Sequence, residues 1–323
     1  MIPVIIDTDT ASDDAVAIIM ALRTPHFDVK GITVVAGNVP LAQASRNACY
    51  TVELCGSDVP VWNGAARPLL REAYSAEWFH GADGLGGTNY PAPKKQPEPG
   101  HAVDALITLI KANPGCLLIT LGPLTNVALA LAKAPEIAKD IGRCVVMGGA
   151  ANTVGNVTPA AEYNIWCDPE AARMVFHAGI AHLEMVGWEL CRGEASLYPD
   201  EMRYLKEDIA TPLAHFSVDT NWSAFKASTE LQGDPGLGLA DPVAMAVAID
   251  PTIATRKSAH YVEIECEGTF TRGMTVVDGV NVIAQRAHPH PEWNAILKGE
   301  PNVTVCWELD VPRWKALLYD CLK

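Results

Sequence analysis

Residues 2–23 read IPVIIDTDTASDDAVAIIMALR: an apolar β-branched run, a short polar turn holding four aspartates, then a run of Ala, Val, Ile, Met and Leu. The first part has the unbroken apolarity of a strand buried on both faces, and the part from Asp13 onward reads as a buried helix. The same alternation returns along the chain. GITVVA (31–36), CLLITL (116–121), RCVVMGG (143–149) and AHLEMVG (181–187) read as strands. LAQASRNACYTVELC from Leu41, AVDALITLIKA from Ala102 and LTNVALALAKA from Leu124 read as helices, as does EAARMVFHAG after the cap pair Asp168–Pro169. Strand then helix, repeated, predicts an α/β fold: an open, mostly parallel, Rossmann-like sheet flanked by helices.

From about 199 to 240 the strand signal gives way to helix and then a loop around QGDPGLGLA, before a helix in DPVAMAVAI. YVEIEC (261–266) and NVTVCWEL (302–309) read as further strands around a Gly-rich, hairpin-like region, and VPRWKALLYDCL (311–322) closes the chain as a helix. With no linker, low-complexity tract or repeat, the expectation is a single domain over 1–323 with a helical insertion at about 199–240.

Composition narrows the partners. With 38 acids against 24 bases the net charge is −14, so most of the surface repels phosphate backbones and anionic lipid, and nucleic acid is excluded as a partner. No apolar run approaches the roughly 18 residues of a membrane span, and the N-terminus lacks a basic, cleavable leader pattern. The nine cysteines are odd in number, scattered, and never form CxxC, so neither a disulfide framework nor a zinc knuckle is expected. A reducing, cytoplasmic location fits these features.

Chemistry in an open parallel sheet gathers beyond the carboxyl ends of the strands. Asp7, Asp9, Asp13 and Asp14 fall in the turn at that edge, between two apolar elements, and cannot all reach bulk water. Packed carboxylates must bind protons or share a cation. A hard divalent ion with oxygen ligands is the economical answer, and Ca²⁺ suits a loose, many-oxygen site better than Mg²⁺. Asn156, Glu162 and Asn164 follow the strand ending VVMGG, and Asp241 stands at the mouth of an apolar helix, where capping alone would also explain it. Such a wall binds hydroxyls and a cation rather than phosphate.

DTDTASDDAVA, TVVAGN (33–38), HGADGLGG (80–87), LGPLTNVALAL (121–131), VVMGGA with NVTPAAEYNIWCDPEAA, LADPVA (239–244) and GMTVVD (273–278) together resemble the inosine-uridine-preferring nucleoside hydrolases, in order and over nearly the whole chain. The resemblance implies hydrolysis of the N-glycosidic bond of ribonucleosides to base and ribose, with a metal-bound water as nucleophile. It points to Asp9, Asp14, Asp241 and the Leu121 carbonyl as Ca²⁺ ligands and to Asp9 as the general base. It assigns the ribose 2′-hydroxyl to Asp13, the diol to Asn164 and Asp241, and the 5′-hydroxyl side to Asn156 and Glu162, with Asn38 and Met147 lining the same pocket. A homo-oligomer, dimer or tetramer, is also implied.

One position departs from the pattern. Many members carry a His before the DP aspartate, and others a Trp; here the residue is Ala240. His80 then becomes the acid candidate by default. Trp78, Trp188, Trp222 and Phe225 are the aromatics near base-binding segments; Trp222 and Phe225 share a helical face in the insertion, and Trp188 at a strand end could stack on a base. Three other readings compete. One is an N-riboside whose leaving group needs no protonation; another is a non-catalytic ribose or nucleoside binder. The third is a haloacid-dehalogenase-type phosphatase using Asp7 and Asp9, against which Ala11 fails the DxDx[TV] pattern.

Overall fold

The computed structural model describes residues 1–281 and 300–323; the rest of the Gly-rich region, 282–299, lies outside them. The opening strand β1 (Ile2–Thr8) sits inside an eight-stranded sheet. On one side are β2 (Phe27–Val34) and β3 (Val61–Asn63); on the other are β4 (Cys116–Thr120), β5 (Ile141–Met147) and β6 (Leu183–Val186). All of these run parallel. Beyond β6 lies β10 (Val303–Leu309), parallel to it, and then β7 (Ala254–His260), the one antiparallel neighbour among the described strands of this sheet.

The alternation of side chains along β1 explains why helices cover both faces. Val4 and Ile6 enter a core shared with α1 (Ser12–Arg23), α2 (Leu41–Leu54), α11 (Ala240–Ile249) and the closing helix Val311–Leu322. Ile5 enters the opposite core, with α4 (Ala102–Ala112), α5 (Thr125–Lys133) and α7 (Pro169–Phe176). Each of the three is fully buried, and each such side chain stabilises the fold by about 1.5–3 kcal/mol. Chain order reverses across β1, from β2 and β3 on one flank to β4 on the other. The carboxyl ends of β1 and β4 therefore open a crevice at the switch point.

The expected strands are present with shifted ends. β2 starts at Phe27, because Asp28 and Lys30 form an ion pair that hides the strand behind charge. YVEIEC does not join the main sheet: β8 (Val262–Ile264) pairs antiparallel with β9 (Thr275–Val277) in a separate ribbon. The stretch after α7 and β6 carries α8 (Pro199–Tyr204), α9 (Pro212–Thr220) and α10 (Trp222–Glu230). Asp168 caps α7 through the Ala171 N–H at 3.1 Å. All nine cysteines are free and all but Cys55 buried. Burial pushes the thiols of Cys49, Cys116 and Cys321 up to about 11 and those of Cys55 and Cys306 to about 12. Among the described residues no helix is long and apolar enough to cross a membrane.

One side chain ties the two flanks of the switch point together. Asn126, fully buried in α5, donates from Nδ2 to Asp7 Oδ1 at 2.8 Å and to the Val34 carbonyl at 3.1 Å, and its Oδ1 accepts from the Ala65 N–H at 2.8 Å. Asn126→Ala leaves the part-buried Ala65 N–H and the buried Val34 carbonyl without this partner and removes one hydrogen bond from Asp7, and should lower the unfolding free energy by about 2–4 kcal/mol in urea titration. A loss within about 0.5 kcal/mol, typical of a surface substitution, would show that the tie is dispensable.

Candidate active site

The turn after β1 fixes its acids with local hydrogen bonds. Asp14, in the first turn of α1, accepts from the Thr8 hydroxyl at 2.6 Å and from the Ala11 N–H at 2.9 Å. Asp9 accepts the Asn38 N–H on Oδ2 at 2.6 Å, while its buried Oδ1 has no hydrogen-bond partner. Two glycines make room for this carboxyl. A Cβ on Gly37 would fall onto Asp9 Oδ2, and one on Gly122 would come within 2.7 Å of Oδ1. The glycines of TVVAGN and LGPLTN are thus required by close approach.

Asp241 is not the cap of α11, since Leu239 holds that position. Its carboxyl instead lies within electrostatic reach of Asp14, as does Asp9's. Asp13, Asp14 and Asp241 each offer an oxygen within 4.8 Å of the others. Asp9 stands outside that trio and joins it through Asp14. Burial, reinforced by neighbouring negative charge, pushes Asp14 up to about 6 and holds Asp9 and Asp241 well above the usual carboxylate range. Buried, all-oxygen, partly unpaired donors fit a hard divalent cation.

Above this floor opens a cleft. Asp13, Asn38, Leu121 and Met147 line it, as do Asn156, Glu162, Asn164 and Asp241. Glu162 caps α6 (Tyr163–Cys167), accepting the N–H groups of Asn164 at 2.9 Å and Ile165 at 3.3 Å, and it also accepts from Gly149 at 2.9 Å. Burial nonetheless raises it to about 7. Asn164 Nδ2 donates to the Leu121 carbonyl at 2.9 Å and to Met147 Sδ at 3.2 Å, which binds the ends of β4 and β5 to one wall. Asn156 Oδ1 accepts the Tyr163 N–H at 2.9 Å.

His80, ending the short helix α3 (Glu77–His80), is buried in the cleft wall with Nδ1 2.8 Å from Ser12 Oγ and 3.9 Å from Asp13 Oδ1. Burial lowers its pKa, so the ring is largely neutral at pH 7. Trp78 and Trp188 also line the cleft. One face of Trp188 is taken by the Arg192 guanidinium, 4.5 Å from the ring centroid. Trp222 and Phe225 lie outside the lining. They stack on each other at 5.3 Å, Phe225 packs on the core, and α10 instead presents Ser228 to the cleft.

Asp7 is likewise absent from the lining: Thr33 Oγ1 at 2.5 Å and Asn126 hold it inside the sheet. A phosphatase nucleophile at that position would not reach a substrate in the cleft. Arg192 and Asp234 line the cleft without having been singled out from the sequence. No local pattern marks either of them, since they meet across 42 residues of chain.

Burial pushes Asp7 and Glu162 up to about 7 as well as Asp14 to about 6. Acids raised in this way stabilise the fold fully below their unfolded values near 4, and that contribution is lost as pH rises through the folded values. In chelator, the thermal midpoint should therefore fall between about pH 5 and pH 8. A flat or rising midpoint over that interval would show these acids to be solvated.

The comparisons with known proteins agree with this geometry. The family model described as inosine-uridine preferring nucleoside hydrolase matches residues 4–316. The pyrimidine-specific ribonucleoside hydrolase RihA of Salmonella paratyphi B is 35% identical over 325 residues, covering 100% of this chain and 98% of that protein. A solved plant nucleoside hydrolase, PpNRh1, superposes with a TM-score of 0.91 at 32% identity, covering 99% of this chain and 98% of the plant chain. The purine-preferring ribonucleoside hydrolase from Gardnerella vaginalis does so with a TM-score of 0.86 at 31% identity, over 99% of this chain and 98% of the other. Because the match runs from β1 to the closing helix and takes in every segment that builds the cleft, the chain belongs to the inosine-uridine preferring nucleoside hydrolases and is an N-ribosyl hydrolase.

Proposed function

We propose that this enzyme hydrolyses the N-glycosidic bond of ribonucleosides with water as nucleophile, and that Asp9, Asp14, Asp241 and the Leu121 carbonyl hold a Ca²⁺ ion for that purpose. The observation that carries the reading is Asp9: one carboxylate oxygen anchored by the Asn38 N–H, the other buried and unpaired beside further acids. When bound, the cation supplies charge neutralisation and acidifies the attacking water.

The remaining chemistry belongs to the side chains. Asp9 takes the proton of the attacking water on its free oxygen, while the anchored oxygen keeps the carboxyl aimed. Asp13, whose Oδ1 is buried without a hydrogen bond, receives the ribose 2′-hydroxyl, and Asn164 and Asp241 receive the diol. Asn156 and Glu162 take the 5′-hydroxyl side, with Asn38 and Met147 shaping the pocket. Bond breaking passes through an oxocarbenium-like sugar, so the surrounding carboxylates stabilise the positive charge as it develops. A substrate lacking one hydroxyl leaves buried polar groups unpaired, which selects ribose over deoxyribose.

The Ser12 hydroxyl can donate to His80 Nδ1, leaving the ring proton on Nε2; His80 in that form donates a hydrogen bond to the base rather than a full proton. Ala240 lines the cleft beside Asp241 with only a methyl. A 5′-phosphate would face Glu162 and the aspartates, which disfavours nucleotides. The family resemblance also supports a cytoplasmic homo-oligomer, dimer or tetramer.

Free ribose release from a panel of ribonucleosides, with and without chelator, tests the reading; activity unaffected by complete chelation would remove the metal from it. Asp9→Asn should lower kcat by about 10³-fold or more with KM changed far less, because general-base and electrostatic contributions act on the transition state. Unchanged turnover would take Asp9 out of the base role.

A further inference from the structure

Cleaving an N-glycosidic bond sends its electron pair to the base, so the leaving group must gain a proton or meet a counter-charge. The cleft is poor in both. Asp13, Glu162, Asp234 and Asp241 put four carboxyl groups in its lining, above the buried Asp9 and Asp14. Only two described lining residues can carry positive charge, His80 and Arg192. His80 has Nδ1 committed to Ser12, and a guanidinium is the group that stays charged at every working pH.

Arg192 is held as a presented donor. Its Nε and Nη2 both reach a single oxygen, Asp234 Oδ1, at 3.2 and 2.8 Å. Nη1 has no hydrogen bond among the described residues. The guanidinium plane lies over Trp188, which is pinned by its own Nε1–H to the Val154 carbonyl at 2.8 Å. The next residue back, Cys191, abuts Gly238, where a Cβ would come within 3.0 Å of Cys191 Sγ, so this segment borders the start of α11 and Ala240. The Ala240 methyl itself offers no donor there, and the neutral Ser228 and Gln232 in the same lining carry no charge to set against an anion.

We propose that Arg192 is a catalytic residue that receives the departing base: its free Nη1 donates to a carbonyl oxygen or ring nitrogen of a nucleobase that leaves as an anion. This rests on the nucleoside-hydrolase reading above. The C1′–N bond breaks with its electron pair retained by the base, and the water oxygen bonds C1′ while Asp9 takes the water's proton. The base anion, charge-paired with the guanidinium, acquires a proton from solvent on release. The substrate class is therefore a ribonucleoside whose base presents an acceptor to the guanidinium, such as an oxo-purine or an oxo-pyrimidine. An exocyclic amino group there would set donor against donor.

The test compares leaving groups. Inosine and uridine, whose bases are poor anions, are assayed beside 4-nitrophenyl β-D-ribofuranoside, whose nitrophenolate needs little help, in wild type, Arg192→Met and Arg192→Lys. Arg192→Met should lower kcat/KM on the nucleosides by about 10²-fold or more, the scale for loss of one preorganised charge-stabilising donor, and on the nitrophenyl riboside far less. Arg192→Lys should recover part of the nucleoside loss, and added guanidinium ion should partly rescue Arg192→Met. Equal losses on both substrate types would make the Arg192–Asp234 pair a structural clamp and overturn the proposal, as would no loss on either. If Arg192→Met fails to fold, the nucleoside-to-nitrophenyl ratio in Arg192→Lys decides: a fall supports the proposal and an unchanged ratio overturns it. Wild-type protein inactive on every riboside would overturn the underlying hydrolase reading as well, whereas active wild type with an unmoved ratio overturns this inference alone.

Discussion

Like charges forced together under an apolar sheet are the constraint from which the rest of this molecule follows. Asp9, Asp14 and Asp241 are buried near enough to shift one another's pKa, and no described lysine or arginine pairs with them. Burying a lone carboxylate costs several kcal/mol even after relaxation, so the arrangement persists only with protons or a cation present. The two cores around β1 hold the turn rigid enough to sustain that arrangement. The hydrogen bonds from Thr8, Ala11 and Asn38 then decide which oxygens remain available.

The same constraint divides the cleft. Carboxylate and carboxamide oxygens make up part of its lining, while Trp78, Trp188 and Arg192 add aromatic surface and one guanidinium. Relatives of comparable similarity carry different base preferences in their names, one pyrimidine-specific and one purine-preferring. The segments 78–80, 188–192 and 228–240, which also line the cleft, are loops, short helices and helix ends, where substitutions disturb the sheet least.

What could be read from the sequence depended on whether burial was double-sided. β1, β4 and β5 are buried by helices on both faces and so appear as unbroken apolar runs. β7, as ATRKSAH, is a half-exposed edge strand, and β3 has only three residues, so neither carries such a run. The four-aspartate turn was legible because charge between two apolar runs has few physical explanations. Trp222 and Phe225 were ambiguous for the opposite reason: aromatic residues at helical spacing pack on each other as readily as on a ligand, and here they do the former. Arg192 was illegible, because its placement depends on Asp234, 42 residues further along the chain, as well as on the nearby Trp188 ring.

The burial that makes the carboxyls hard to ionise does the same to sulfur. A thiol with its pKa near 11 is a thiolate to only about one part in 10⁴ at neutral pH, and the thiolate is the form that peroxides and alkylating agents attack. The buried sulfhydryl groups thus serve as small apolar fillers, and the same packing that closes the two cores keeps them in the less reactive thiol form.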